Sequence, residues 1–290
     1  MLKDFYRILV ELELTTASEM DFDMNVHHGH HMSCYLRSRT GESYFMKVVG
    51  PEERETLEHE HAALTKVYAR APRNVARPLG LVQCGNRYVL LLEDKSASAP
   101  RDLSAVMYPD AAVDAWVEFF DTLTSCGAAR WEQGLSPPDP TGFFERELPA
   151  LSDYIRDEGL LTQLRSEWIS QHGDMSAFNL GLNGATPIVY DWEDYGKLGL
   201  PGLDLAVLIG SLLDYQPGPL REFLNERQAD YPAFQRLVEA CGLTVSDFRQ
   251  RIPLYFGCFL WLKRSHGYGQ EIQKQIHALI DELLREPLTA

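Results

Sequence analysis

The residues with the clearest chemical potential lie within 171–196, QHGDMSAFNLGLNGATPIVYDWEDYG. His172-Gly173-Asp174 is followed by Asn179 and, after two short apolar runs (180–182 and 188–190), by Asp191. Asn183-Gly184 sits between those runs, and Asn-Gly in that position is a strong hairpin signal, because both residues tolerate positive φ. The expected hairpin returns the chain and brings Asp191 back towards Asn179. A grouping of this kind suits phosphoryl transfer. One carboxylate faces an acceptor hydroxyl, while a second carboxylate and an amide oxygen hold Mg²⁺ against phosphates.

The motif His172-Gly173-Asp174-x4-Asn179, with Asp191 after a hairpin, resembles the catalytic segment of the aminoglycoside phosphotransferase / choline kinase family. These are small-molecule kinases with a protein-kinase-like fold. The resemblance covers about residues 20–210. It implies an α+β, bilobal architecture: a small antiparallel β-sheet lobe with one helix, and a larger, mainly helical lobe. It implies Asp174 as catalytic base, Asn179 and Asp191 as Mg²⁺ ligands, and His172 as a support for the loop. Asp204, in the turn 199–206, matches a family aspartate that braces the catalytic loop. An acid at that place also favours the start of a helix. Glu193, two residues after Asp191, is a candidate further metal ligand and equally a candidate salt-bridge partner. No Ala-Pro-Glu activation segment follows Asp191, which disfavours a protein substrate.

The elements that must position these groups begin with an amphipathic stretch at 1–18, which carries Phe5, Ile8, Leu9 and Leu12 at helical spacing. Residues 20–49 read as strand, loop, strand, turn, strand. The first loop holds Gly29, ahead of Ser33. In the resembled family this loop covers the nucleotide phosphates with backbone N–H groups, so Gly29 and Ser33 are candidate nucleotide contacts. His27, His28, His30 and His31 crowd the same stretch. Consecutive strand residues point to opposite faces, so at most alternate histidines could converge on a metal. Imidazoles beside phosphate, or solvated, fit better.

Lys47 falls in the β-rich run Tyr44-Phe45-Met46-Lys47-Val48-Val49 and resembles the third-strand lysine of the kinase fold. Pro51-Glu52-Glu53 then starts a helix that runs to about residue 70, with its proline in the first turn and its acids at the positive end of the dipole. Its apolar stripe is Leu57, Leu64, Val67 and Tyr68, and Glu60 falls on that stripe. A buried glutamate without a cationic partner costs several kcal/mol. Lys47 is the natural partner, and the resemblance gives the pair the role of positioning ATP. Glu58 points elsewhere.

Residues 75–82 and 87–92 complete the sheet. Glu93-Asp94-Lys95 and the Ser/Ala/Pro-rich stretch 96–100 read as a hinge, where relatives of this kind bind adenine through main-chain groups; Glu93 is the candidate here. The expected domains are 1–93 (nucleotide-binding lobe), 94–101 (hinge) and 102–290 (catalytic and substrate lobe). The second lobe reads as a helix at 110–129, a Pro-rich loop, and helical pieces in 143–168 broken near Gly159. After the catalytic segment come helices at 205–215, 219–230, 231–241, 245–263 and 270–285. Asp214, Tyr215, Trp261 and His266 could reach an acceptor there, although aromatics at helical spacing usually build core.

The whole chain agrees with this class. Its 290 residues are 45% hydrophobic and 24% charged, which is ordinary for a globular protein. A net charge of −15 disfavours a nucleic-acid partner and suits a cationic acceptor. No apolar run approaches membrane-spanning length. Five scattered cysteines without CxxC spacing indicate reduced thiols and a cytoplasmic setting. The expected activity is ATP- and Mg²⁺-dependent phosphorylation of a small-molecule hydroxyl, with an aminoglycoside-type antibiotic favoured. The alternatives are a sugar, a choline-like amino alcohol or another metabolite, or a nucleotide-binding module without turnover.

Overall fold

The computed structural model describes residues 20–27, 31–38, 43–95, 97–100, 102–107, 110–125, 139–160, 169, 171–227, 232–266, 269–286 and 288. The expected N-terminal helix at 1–18, the glycine of the first loop (Gly29) and most of the Pro-rich loop lie outside them. The chain divides into two compact units. One comprises Met1–Ala97 with Tyr190–Glu193, the other Ser98–Val189 with Asp194–Ala290.

In the first unit, β1 (Met20–His27), β2 (His31–Ser38), β3 (Ser43–Val49), β4 (Pro78–Cys84) and β5 (Arg87–Glu93) form an antiparallel sheet in the order β1-β2-β3-β5-β4. Alternation along the strands puts Met32, Cys34, Leu36, Tyr44, Met46, Val48, Val89 and Leu91 into one apolar cluster. The same alternation turns Lys47 to the other face, opposite Ser33 on the neighbouring strand. Pro51–Glu53 forms a single 3₁₀ turn, and the α-helix proper, α1, is Arg54–Tyr68, packed on β4 and β5. Leu57, Leu64 and Val67 are buried along its inner stripe.

The second unit is mostly helical. It contains α2 (Leu103–Met107), α3 (Asp110–Ser125), α4 (Thr141–Glu147) and α5 (Pro149–Asp157). After the hairpin β6 (Leu180–Asn183) and β7 (Thr186–Val189) come α6 (Leu203–Leu212), α7 (Pro217–Glu222) and a π turn at Phe223–Arg227. The unit closes with α8 (Pro232–Ala240), α9 (Val245–His266) and α10 (Gln270–Arg285). The helix expected at 219–230 starts two residues early, with Pro217 in its first turn, and widens into the π turn after Glu222, while 228–230 lie outside the described residues. The short helix α2 had no counterpart in the sequence reading.

The hairpin turn is Gly184-Ala185, since Asn183 pairs with Thr186, and Gly184 takes φ 60°. Asn183 stays in the strand, so the glycine alone supplies the left-handed step that the Asn-Gly signal promised. Buried helix α9 packs against α6 and α10 and carries Phe248, Ile252, Tyr255, Phe256 and Phe259 into the core.

Candidate active site

The first group of candidate side chains lies within the first unit. Lys47 Nζ donates to Glu60 Oε2 at 3.0 Å, Asp191 Oδ1 at 2.8 Å and Glu193 Oε2 at 2.9 Å. One ammonium thus serves three carboxylates, matching its three N–H donors. Glu60 is 2% exposed and also accepts the backbone N–H of Trp192 at 3.3 Å, which fastens the 190–193 segment to α1. Tyr190 extends the fastening, donating its hydroxyl to the carbonyl of Lys95.

Burial and the neighbouring Asp191 and Glu193 push the Glu60 carboxyl up to about 7, against the lowering pull of Lys47. Burial works to lower the Lys47 ammonium, and the surrounding carboxylates more than offset it, so its pKa lies well above the ordinary value. Lys47 stays charged. Asp191 itself takes φ 59°, a conformation uncommon for a residue with a side chain.

Ligand oxygens of Glu60, Asp191 and Glu193 all lie within 4.8 Å of one another. A set of three carboxylates with one ammonium carries excess negative charge and offers only hard oxygen donors. That chemistry fits Mg²⁺ or a similar divalent cation. Of the two readings open at its position, Glu193 makes the pairing with Lys47, and its carboxylate is one of the three that could hold a cation. Ser33, 9% exposed, faces Lys47 across the β2–β3 pairing. Glu93 ends β5 as an exposed side chain, with its backbone N–H donated to Arg77.

The second group lies within the second unit. Asp204, fully buried, accepts the backbone N–H of His172 on Oδ2 at 2.7 Å and that of Gly173 on Oδ1 at 2.9 Å. Gln171 Oε1 accepts the Asp204 N–H at 3.1 Å, closing a reciprocal clasp between loop and helix start. Burial raises the Asp204 pKa, while His172 and the two backbone N–H groups pull it down. His172 is also fully buried, and its Nδ1 accepts the N–H of Asp174 at 3.2 Å. Gly173 takes φ 91°, and a Cβ there would lie 2.8 Å from the Asp194 carbonyl oxygen. Glycine is required on both counts.

Residues Ala177–Asn179 make a 3₁₀ turn, and the N–H of Ala177 is accepted by Ser211 Oγ at 2.8 Å. The turn directs Asn179 Nδ2 onto Asp174, at 2.9 Å from its carbonyl oxygen and 3.0 Å from Oδ2. With its nitrogen turned inwards, the amide presents its oxygen, the atom a cation would use, in the other direction.

Lys263 Nζ, on α9, donates to the same Asp174 Oδ2 at 2.5 Å. This residue was missed by sequence reasoning. The available signal was a lone lysine ending the apolar run 252–262. Of the aromatics and charges considered as acceptor contacts, Tyr215 is buried and Asp214 is exposed. His266 has no described side chain.

A five-stranded antiparallel sheet with one helix, and a mainly helical unit bearing a clasped HGD loop, together make an α+β, protein-kinase-like architecture. The phosphotransferase enzyme family model matches residues 25–237, well over half of the chain, and the chain belongs to that family. It is a small-molecule kinase. Solved structures of similar fold include aminoglycoside phosphotransferase APH(4)-Ia, at 11% identity and a TM-score of 0.61, covering 100% of both chains. Amicoumacin kinase hAmiN, in complex with AMP-PNP and Ca²⁺, is similar at 11% identity and a TM-score of 0.60, covering 97% of this chain and 94% of that one. A putative fructosamine-3-kinase from Haemophilus somnus 129PT is similar at 14% identity and a TM-score of 0.59, covering 98% of each chain. No curated protein matches in sequence. Among the described residues no helix is long and apolar enough to cross a membrane.

Proposed function

We propose that the chain transfers the γ-phosphoryl group of ATP to a hydroxyl of a small molecule, with an aminoglycoside-type antibiotic as the first acceptor to test. The observation that carries this reading is the clasped loop. Asp204 and His172 fix the backbone around Asp174, while Asn179 holds its carboxylate. A carboxylate so held can orient an acceptor hydroxyl and take its proton, and orientation supplies much of the rate in this chemistry. Lys47, kept charged by Glu60, is assigned to the nucleotide phosphates. Asn179, Asp191 and Glu193 are assigned to Mg²⁺, which when bound would neutralise phosphate charge. The unit bearing Lys47 is read as the nucleotide lobe and the unit bearing Asp174 as the acceptor lobe, with Gly29, Ser33 and Glu93 as further nucleotide contacts. Reduced thiols suit a cytoplasmic setting.

The net charge of −15 suits a cationic antibiotic. A second reading, a sugar or other metabolite of low positive charge, is favoured by Lys263, whose ammonium stands against the carboxylate that would receive the hydroxyl. The test is ATP consumption with Mg²⁺ across aminoglycosides, sugars and amino alcohols, with Asp174→Ala as the blank. Turnover confined to aminoglycosides supports the first reading, and turnover confined to uncharged acceptors supports the second. Equal turnover by wild type and Asp174→Ala would overturn the role of Asp174.

A further inference from the structure

Lys263 stands 89 residues from Asp174 in the chain, yet both its ammonium and the Asn179 amide address the same Asp174 oxygen, at 2.5 and 3.0 Å. The lysine is not loosely placed. Its Nζ lies 5.2 Å from the centroid of the Phe259 ring, one helical turn earlier on α9. Phe259 in turn stacks on Tyr215, with centroids 6.2 Å apart and planes at 24°.

Tyr215 is buried, and it and Asp214 both take φ 52°. Two successive side-chain-bearing residues in the left-handed region persist only where their surroundings dictate it. The neighbouring Ser211 accepts the N–H of Ala177 from the catalytic loop. One corner of the chain, 211–215, therefore supports both the loop bearing Asp174 and the aromatic pair beneath Lys263.

We propose that Lys263 is a positioning residue for phosphoryl transfer, whose ammonium fixes the rotamer of the Asp174 carboxylate. The inference rests on the reading of Asp174 as the group that receives the acceptor hydroxyl. The terminal torsion of an aspartate is broad, so a carboxylate held from one side swings. Asn179 restrains Asp174 from its own loop, and Lys263 does so from a different element. A displacement of about 1 Å at such a group costs on the order of 100-fold in rate. Loss of Lys263 therefore acts on kcat, while nucleotide binding, assigned to Lys47, is spared.

The test uses the full-length protein with ATP, Mg²⁺ and whichever panel acceptor gives the fastest wild-type turnover. Lys263→Met, which keeps the stem and removes the charge, is expected to lower kcat by about 30-fold or more, with the KM for ATP within about twofold. Lys263→Cys is expected to lose kcat similarly and to regain most of it after alkylation with 2-bromoethylamine. In that treatment the thiolate displaces bromide and restores an ammonium at nearly lysine length. Wild type treated in parallel corrects for the five native cysteines. A purely structural lysine would not show this charge-dependent recovery. Wild-type kcat in Lys263→Met, or no recovery in the alkylated cysteine variant, overturns the proposal. If wild type consumes no more ATP than Asp174→Ala with any acceptor, the reading of Asp174 fails and the proposal falls with it.

Discussion

The Lys47 ammonium and the Glu60 carboxylate, 13 residues apart in the chain, meet at 3.0 Å with side chains 13% and 3% exposed. Lys47→Met leaves Glu60 buried without its cation, and breaking a buried pair from one side costs about 3–5 kcal/mol. Urea unfolding at pH 8 is expected to show a loss of that order. The pH dependence has a defined sign. Glu60 is raised from 4.5 to about 7, so between those values the folded protein holds a proton that the unfolded chain has released. Its contribution to stability is therefore lost as pH rises through that window. Unfolding measured from pH 4.5 to 7 should show the difference between Glu60→Gln and wild type moving in the variant's favour.

Asp204→Asn keeps the size of the side chain but replaces one of two accepting oxygens with a donor, which then faces a backbone N–H of His172 or Gly173. Leaving a buried donor unsatisfied costs about 1–3 kcal/mol. Thermal unfolding should register that loss. Because the same N–H groups fix the loop around Asp174, kcat should fall by at least about tenfold even below the unfolding transition.

Gly173→Ala meets two obstacles, a positive φ and the carbonyl oxygen of Asp194 at 2.8 Å from the added carbon. The conformational part alone costs about 1–2 kcal/mol, and the close contact adds to it. Calorimetry should show a lowered Tm, and turnover should drop because the neighbouring Asp174 is displaced. Gly184→Ala is the informative companion: its φ is also positive, yet nothing lies within 4 Å of the added carbon. It should lose stability with kcat preserved.

Helix α9, which carries Lys263, is capped by a reciprocal pair. Thr244 donates its N–H and hydroxyl to Asp247 Oδ2, and the N–H of Asp247 is donated back to Thr244 Oγ1. Asp247→Ala should cost about 0.5–1 kcal/mol at pH 7, the lower part of the capping range because the pair is exposed. Hydrogen bonding from Thr244 lowers the Asp247 pKa below the ordinary value of 3.8. The contribution is therefore fully present above that value and is lost as pH falls below it, through the lowered pKa of the folded state. Chemical denaturation at pH 7 and pH 3 should show the variant's deficit shrinking in acid.

What was legible in the sequence was local. The β-rich run marked Lys47 as a strand residue, the stripe on α1 picked out Glu60, and the Asn-Gly signal located the β6–β7 hairpin to within a residue. The HGD motif and Asp204 could be linked only through family resemblance, because no local rule joins residues 32 positions apart. Lys263 was hidden for a related reason. Helix α9 is buried on nearly all sides, so its sequence shows no polar face on which a functional lysine would stand out. Its meaning depends on Asp174, a partner that only the folded chain supplies. The grouping of Asp191 and Glu193 with Glu60 is likewise a long-range result that the spacing of the two acids could not reveal.

The four residues Tyr190–Glu193 belong with the first unit, although the chain on both sides of them belongs to the second. A gene fragment ending at Ala97 would encode Lys47 and Glu60 but neither Asp191 nor Glu193. The charge set around Lys47 is therefore completed only by four residues encoded far downstream, inside the stretch that builds the second unit.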